Sequence, residues 1–554
     1  MALQGNGQLL VKVRGQPFTA LFSATPPFTL PGYSIEPLSA TPQARAMFKA
    51  SVAADHWLLA KPATPQPDTT PWDTAHAAAK ANGYAHYVEP DILHARTPPP
   101  AGKLDGGLNT DWPPFVEDSD GVSPGWHLEA GFTGFASVRT SATGTGVRIA
   151  HLDTGYTPGH ISKPRNLRPD LGYDYWDDKP DPIDPGTEFP GLQPGHGTAT
   201  LALLAGNAMD LTFGKQRFTG DFGGAPDAEV IPVRISPSVI HIYTSTMAKG
   251  LYDALAPSGD PTKPDPANQC DVVSISHGGL PCASWADAVN TLYEAGITIV
   301  AASGDSIYLE VLDLATRYAV YPSAFNRVLT AVGATYAKQP YITTKPGVMQ
   351  GCWGPDAVME KALAGFTPNV AWMKFDDLPS GFEMSGDGTS ASAPQIAAAC
   401  ALWLQLYREQ LPADWRRVEA CRLALFDGAD DSDSDKSKLG WGLLNVAKTL
   451  DPGLAAKLIA QANANELRPS AEDSVSFPFW RLLMGLAPPQ SEEQRMYESE
   501  AAQVVLESGN AELLKAARDA AGGATLSPAD QMKYRSMLAS ESVSNALRQR
   551  INGP

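Results

Sequence analysis

The sequence is poor in cysteine. Five thiols are spread over 554 residues, at Cys270, Cys282, Cys352, Cys400 and Cys421. An odd number with no Cys-x-x-Cys spacing argues against a disulfide framework or a zinc ribbon. The nearest pair, Cys270 and Cys282, flanks the strand-like run DVVSIS, and about 3.3 Å per residue keeps its two ends apart. All five are read as thiols. Positive charge is also scarce: 42 Lys and Arg face 60 Asp and Glu, giving a net charge of −18. No Lys/Arg cluster exists to hold phosphates, so nucleic acid is excluded as a main partner. No apolar run approaches the ~20 residues that span a bilayer. The start, MALQGNGQLLVKVRGQ, has neither the basic n-region nor the apolar h-region of a secretion signal. A cytoplasmic location is therefore expected, with secretion as the alternative. Internal repeats are missing too. What is present is 43% hydrophobic and 18% charged residues, which builds a substantial core and excludes a disordered chain. The length suggests about three or four domains, or two units if one is a large α/β domain.

Four regions separate by pattern. Residues 1–96 mix β-like runs (QLLVKV, HWLLA, YAHYV) with a helix, DTAHAAAKANG, for which Asp73 is the expected N-cap and Gly83 the stop. Residues 97–125 are rich in Pro, Gly and Asp without periodicity and read as a linker. Residues 126–450 alternate apolar strands (GVRIAHLD, AEVIPVRI, DVVSIS, ITIVAAS) with helices (TATLALLAG, VIHIYTSTMAKGLYDALA, and SWADAVNTLYEAG capped by Ser284). This alternation predicts a mostly parallel sheet covered on both faces, with chemistry at the carboxyl ends of its strands. Residues 451–554 read as helices, with caps at Ser491, Asn510 and Ser527.

Three segments stand where such a sheet would hold a site. Asp153 ends the strand GVRIAHLD, followed by Thr154-Gly155. Alone it is a turn aspartate. A single DTG also does not make an aspartic protease, which needs two carboxylates sharing a proton. His196 lies between Gly195 and Gly197 at the head of an apolar helix. Alone it is a structural histidine. Ser390, in GDGTSASAP, precedes the Ala-rich helix QIAAACALWLQLY. Alone it is an N-cap, but a nucleophile there gains from the helix dipole and from free backbone N–H groups that bind an oxyanion.

Taken together, the order Asp–His–Ser on an α/β scaffold is one of the known arrangements of the serine-protease triad. The sequence resembles the subtilisin-like serine proteases, or subtilases, over about residues 126–450. The resemblance rests on HLDTGY at 151–156, GHGTA at 195–199 and GTSASAPQIAAA at 388–399, supported by GGAPDAEVIPVRI, VVSISHGG at 272–279, YPSAFNRVLTAVGAT at 321–335 and GWGLLNVAKTL at 440–450. It implies a three-layer subtilisin-like domain and endopeptidase activity. Ser390 is then the nucleophile, His196 its base and Asp153 the orienting carboxylate, with no cofactor required for the chemistry. The family's second oxyanion donor is usually an Asn after Ala-Ala-x-Gly, and here Asp305 stands in that place after Ala301-Ala302-Ser303-Gly304. Three readings stay open. Asp305 is protonated, its pKa raised by burial and nearby negative charge; Ser303 or Ser306 donates instead; or the protein is a regulatory or binding module on a subtilase scaffold with weak catalysis. By the same resemblance, Ser276-His277-Gly278 and Ala302-Ser303-Gly304 are the walls of the specificity pocket, pairing with an extended peptide substrate. Val320 lies at the pocket base and implies a mid-sized apolar side chain in the substrate. The segment between Asp305 and Tyr321 adds Glu310 and Asp313.

The acidic stretch 174–188 is read as a solvated loop, a structural calcium site or a source of preference for basic substrates. Its spacing fits no recognisable calcium loop. Residues 1–96 match the size and composition of a subtilase prodomain, which would be self-cleaved within 97–125; a permanent accessory domain is the other reading. The C-terminal helices are expected to dock a partner or to oligomerise.

Overall fold

The computed structural model describes residues 2–16, 26–40, 54–64, 67–95, 111–112, 122–186, 194–239, 241–308, 318–430 and 435–553. Most of the expected linker, along with Glu188, Glu310 and Asp313, lies outside the described residues.

Near the N-terminus, β1 (Gly5–Gln16), β2 (Tyr33–Pro37), β3 (Ala54–Pro62), α1 (Pro71–Ala81) and β4 (Tyr87–Ala95) form an antiparallel sheet backed by one helix. The helix starts at Pro71 with Thr70 at its N-cap, not at Asp73 as the local pattern suggests. Proline's fixed φ favours the first helical turn, so the helix begins earlier. Asp73 is left in that turn, where it accepts the backbone N–H of Asn545 at 2.7 Å. Gly83, with φ of 61°, lies just past the helix end as read.

The large sheet runs through β5 (Arg148–Asp153), β6 (Glu229–Arg234), β8 (Val272–Ile275), β9 (Thr298–Ala302), β10 (Leu329–Ala334) and β11 (Ala362–Phe366), with β7 (His241–Tyr243) lying outside it. Its order is β11-β10-β9-β8-β5-β6, all parallel, and two short strands at 173–174 and 179–180 complete one edge. The strands are apolar on both faces because both are covered. Ile149, Val272, Val300 and Ala302 share a core with α2 (His196–Ala205) and α5 (Ser392–Tyr407). Their neighbours Ala150, Leu152, Val273 and Ile275 share another with α3 (Thr244–Asp253) and α4 (Ala283–Glu294). The period-2 alternation of side chains therefore feeds two cores at once. β5 has β8 on one side and β6 on the other, so a crevice opens at its carboxyl end, where Asp153 lies.

Two expectations fail for one shared reason. VIHIYTST does not begin a helix: residues 241–243 are β7, which pairs antiparallel with β4 through His241–Ala95, Ile242–His94 and Tyr243–Leu93. α4 is not capped by Ser284. Its N-cap is Cys282 without a side-chain bond, and the Glu89 carboxylate of β4 accepts the N–H groups of Ala283 and Ser284 at 2.9 and 3.0 Å. Asp91, two residues on, accepts Ser245 N–H at 2.8 Å and so caps α3. Both carboxylates are buried. Residues 5–95 thus supply a strand partner and two caps that no local pattern could reveal.

β12 (Val370–Met373) and β13 (Phe382–Gly386) form a hairpin ahead of α5. The chain then ends in α6 (Pro452–Asn463), α7 (Pro478–Met484), α8 (Glu492–Ser508), α9 (Ala511–Ala521), α10 (Pro528–Ser540) and α11 (Asn545–Asn552), with Ser491, Asn510 and Ser527 acting as N-caps. Among the described residues no helix is long and apolar enough to cross a membrane. All five cysteines are buried free thiols.

Candidate active site

Asp153 closes β5 and is fully buried. Its Oδ1 accepts His196 Nδ1–H at 2.7 Å and Thr154 N–H at 2.7 Å, and its Oδ2 accepts the Thr200 hydroxyl at 2.9 Å. Burial alone would raise the carboxyl pKa. The electrostatic interactions with the His196 and His277 rings and the His196 hydrogen bond outweigh it and hold the group below the ordinary carboxylate range. His196 opens α2, and the glycines beside it are required. A Cβ on Gly197 would lie 2.1 Å from the Gly155 carbonyl, and one on Gly155 (φ 102°) would lie 2.5 Å from that of Pro182. Only bare backbone lets the two loops meet closely enough to join Asp153 to His196.

Two further histidines surround Asp153. His151, on the same face of β5, binds Thr200 Oγ1 through Nε2 at 2.9 Å. Thr200 therefore connects His151 with Asp153. His277 Nδ1 lies 4.0 Å from Asp153 Oδ2, and its Nε2 lies 2.7 Å from the Ser236 hydroxyl. Burial pushes the pKa of each down to about 4, against the pull of Asp153. The 277 side chain is therefore a neutral buried ring beside the carboxylate. Asp153, His196 and His277 bring metal-ligand atoms within 4.8 Å of one another. A metal there would have to displace the bond between Asp153 and His196.

Ser390 lies in the turn before α5 and is half-buried. Its Oγ donates to the Ser276 carbonyl at 3.3 Å, and Ser276 Oγ donates to the Ser390 carbonyl at 3.1 Å. The proposed nucleophile turn and pocket wall are thus joined, and no hydrogen bond links Ser390 Oγ to His196. Catalytic hydrogen bonds are often loose in the free state and tighten around substrate.

Asp305 lies against the same turn. Its Oδ1 accepts Thr389 N–H at 2.9 Å, and its Oδ2 lies 3.4 Å from Thr389 Oγ1. Ser303 Oγ is committed to the Cys352 carbonyl at 2.7 Å. Ser306 Oγ is buried without a partner, on the opposite side of its strand from Asp305. Of the three candidate oxyanion groups, Asp305 is the one bonded to the residue next to Ser390.

Gly278 and Gly304, one from each expected wall, both approach Val320. A Cβ on Gly278 would lie 2.2 Å from its Cγ2, and one on Gly304 would lie 3.0 Å from its Cγ1. On the other side, the Trp372 indole of β12 meets the His196 ring edge-on at 5.4 Å. In the acidic loop, Asp174 binds Arg234 at 2.6 Å, and Asp184 accepts Thr154 Oγ1 at 2.8 Å and Gly195 N–H at 2.9 Å. Both carboxylates are occupied by protein donors. Asp184 pins the Asp153 loop to the His196 loop.

Thr200 was legible in principle, since it follows His196 by one helical turn. His151 shares a strand face with Asp153 at spacing two. Asp184 and Trp372 gave no local signal.

No curated protein matches the chain. Among solved structures, the prenylagaramide maturation protease PagA is similar at 18% identity and a TM-score of 0.40, over 57% of this chain and 96% of that one. A family model for the subtilases matches residues 144–442, more than half of the chain and the whole span from Asp153 to Ser390. The chain belongs to the subtilase family.

Proposed function

We propose that this protein is a serine endopeptidase made as a latent, self-processing precursor. The observation that carries the reading is the buried 2.7 Å bond between Asp153 and His196 Nδ1, with Ser390 in the turn facing the same crevice. In this reading Ser390 Oγ attacks the peptide carbonyl while His196 Nε2 takes its proton. Asp153 fixes the imidazole tautomer and stabilises the imidazolium. The acyl-enzyme forms as His196 returns the proton to the leaving amine, and water then reverses the sequence. The oxyanion receives Ser390 N–H and, from the other side, the proton carried on Asp305 Oδ2. An ionised Asp305 would repel it.

Substrate is read as an extended strand between residues 276–278 and 302–304, with a mid-sized apolar side chain directed at Val320. The N-terminal region is read as the prodomain. Its last described strand, β4, already occupies the edge of β7, and the His94 ring packs against Gly279 and accepts Leu280 N–H at 3.0 Å, beside one wall.

The test is labelling by a fluorophosphonate probe across pH, with Ser390→Ala as control. Labelling of the wild type alone supports the enzyme; absence of labelling at every pH favours a regulatory scaffold. Ser390→Ala should also run as the full-length chain, and a wild-type band of identical size would rule out self-processing.

A further inference from the structure

The two ends of the chain meet away from the crevice. One end of the C-terminal region is tied to the peptidase. Asp473 is buried, its carboxylate accepts Asn326 and Arg327 N–H groups at 2.6 and 3.0 Å, and its backbone pairs with the Asn290 side chain in both directions. From this anchor the chain leads to α8, whose middle is buried against the N-terminal region. Ser499 accepts the Tyr87 hydroxyl at 2.9 Å, and Glu500 lies 3.0 Å from His76 Nε2. Gln503 joins both sides with one amide: its oxygen accepts the Trp72 indole N–H at 2.9 Å, and its nitrogen donates to the Pro281 carbonyl at 2.8 Å. Pro281 stands just before α4, the helix that Glu89 caps.

These contacts do not suit a C-terminal appendage facing outward. Ser499, Glu500 and Gln503 are polar yet at most 2% exposed. Trp72 and His76 of α1, buried and bonded to Gln503 and Glu500, would lose that cover if α8 were absent. A prodomain built simply to leave after cleavage needs no such second interface. We infer that the C-terminal helices are a clasp whose partner is the chain's own N-terminal region. When the connection within residues 97–125 is hydrolysed, water supplies hydroxyl to the new carboxylate and a proton to the new amine, and the clasp keeps the freed N-terminal fragment docked. Latency then outlasts cleavage and ends when the clasp opens. That last step rests on the reading of the N-terminal region as the prodomain; the retention itself does not.

The experiment uses the full-length chain carrying Ser390→Ala and a specific-protease site within 97–110. After cutting, the N-terminal fragment should co-elute with the rest on size exclusion. Gln503→Ala leaves the Trp72 N–H and the Pro281 carbonyl buried without partners, so the fragment should dissociate about tenfold faster. Adding His76→Ala should speed it further. Unchanged dissociation in both variants would overturn the clasp. To separate release from misfolding, the exposed-edge pair Asp73→Cys/Asn545→Cys is added to Gln503→Ala with Ser390 intact. Oxidation should restore latency toward a fluorogenic peptide, and a thiol reductant should abolish it. Equal activity of the oxidised and reduced forms, with release unaffected by Gln503→Ala, would count against the proposal. Faster release without any rise in peptide hydrolysis would uphold the clasp and sink the prodomain reading.

Discussion

Asp305→Asn tests the chemistry most directly. Oδ1 of Asp305 accepts Thr389 N–H and Oδ2 lies 3.4 Å from Thr389 Oγ1, so the carboxyl stands against the turn that carries Ser390. If it carries a proton, it donates. If it is ionised, two unit charges about 4 Å apart at an effective dielectric near 20 repel by about 4 kcal/mol, roughly a thousandfold in rate. Loss of a single oxyanion donor elsewhere costs about 10²–10³ in rate, the same order. Asn keeps the acceptor for Thr389 and supplies a donor that does not titrate. The ratio of kcat/KM for Asp305→Asn over wild type, measured with one fluorogenic peptide between about pH 5 and pH 9, should start near 1 and climb toward about 10². A ratio flat across pH, or a variant inactive throughout, would refute the role assigned to Asp305.

Other perturbations probe different parts of the same reasoning. Val320→Ala removes two methyl groups between Gly278 and Gly304, worth about 1.6 kcal/mol; cleavage profiling of a peptide library should show the preference moving about tenfold toward bulkier apolar side chains. Glu89→Ala strips the cap from α4 at a cost of about 1–2 kcal/mol, so titration of the cut N-terminal fragment should show about tenfold weaker binding. His127, His151 and His277 are buried, with pKa values lowered from 6.5 to about 3, about 4 and about 4. The unfolded chain binds these protons first, so stability is intact above about pH 6.5 and is lost as pH falls toward 4, by up to about 3 kcal/mol per histidine. Urea midpoints should follow that slope, and His127→Phe, which replaces a ring whose two nitrogens have no partner, should flatten it.

What the sequence carried was whatever is local or periodic. The run RIAHLD reads as a strand covered on both faces because Ile149 enters one core and Ala150 and Leu152 enter the other. The glycines around His196 read as a loop because backbone must approach backbone there. What it hid depends on residues far apart in the chain. HIY reads as the start of a helix until β4 arrives to pair with it, and Ser284 reads as a cap until Glu89 takes that place from 195 residues away. The place of the His277 ring beside Asp153 was hidden too, since nothing in SISHGG states which way a side chain turns. The C-terminal helices showed their caps and periodicity but not their partner, because α8 buries Ser499, Glu500 and Gln503, residue types normally assigned to solvent.

The borrowed caps of α3 and α4 carry a further consequence. Three backbone amides at the heads of two helices beside the crevice have their acceptors on a segment that the proposed activation would remove. Once β4 departs, those amides turn to water, and the mature peptidase gives up about 2 kcal/mol of folding stability. In the latent precursor proposed above, activity and durability then oppose each other: the form able to cut is the one that unfolds sooner, and its working life is limited by the same event that starts it.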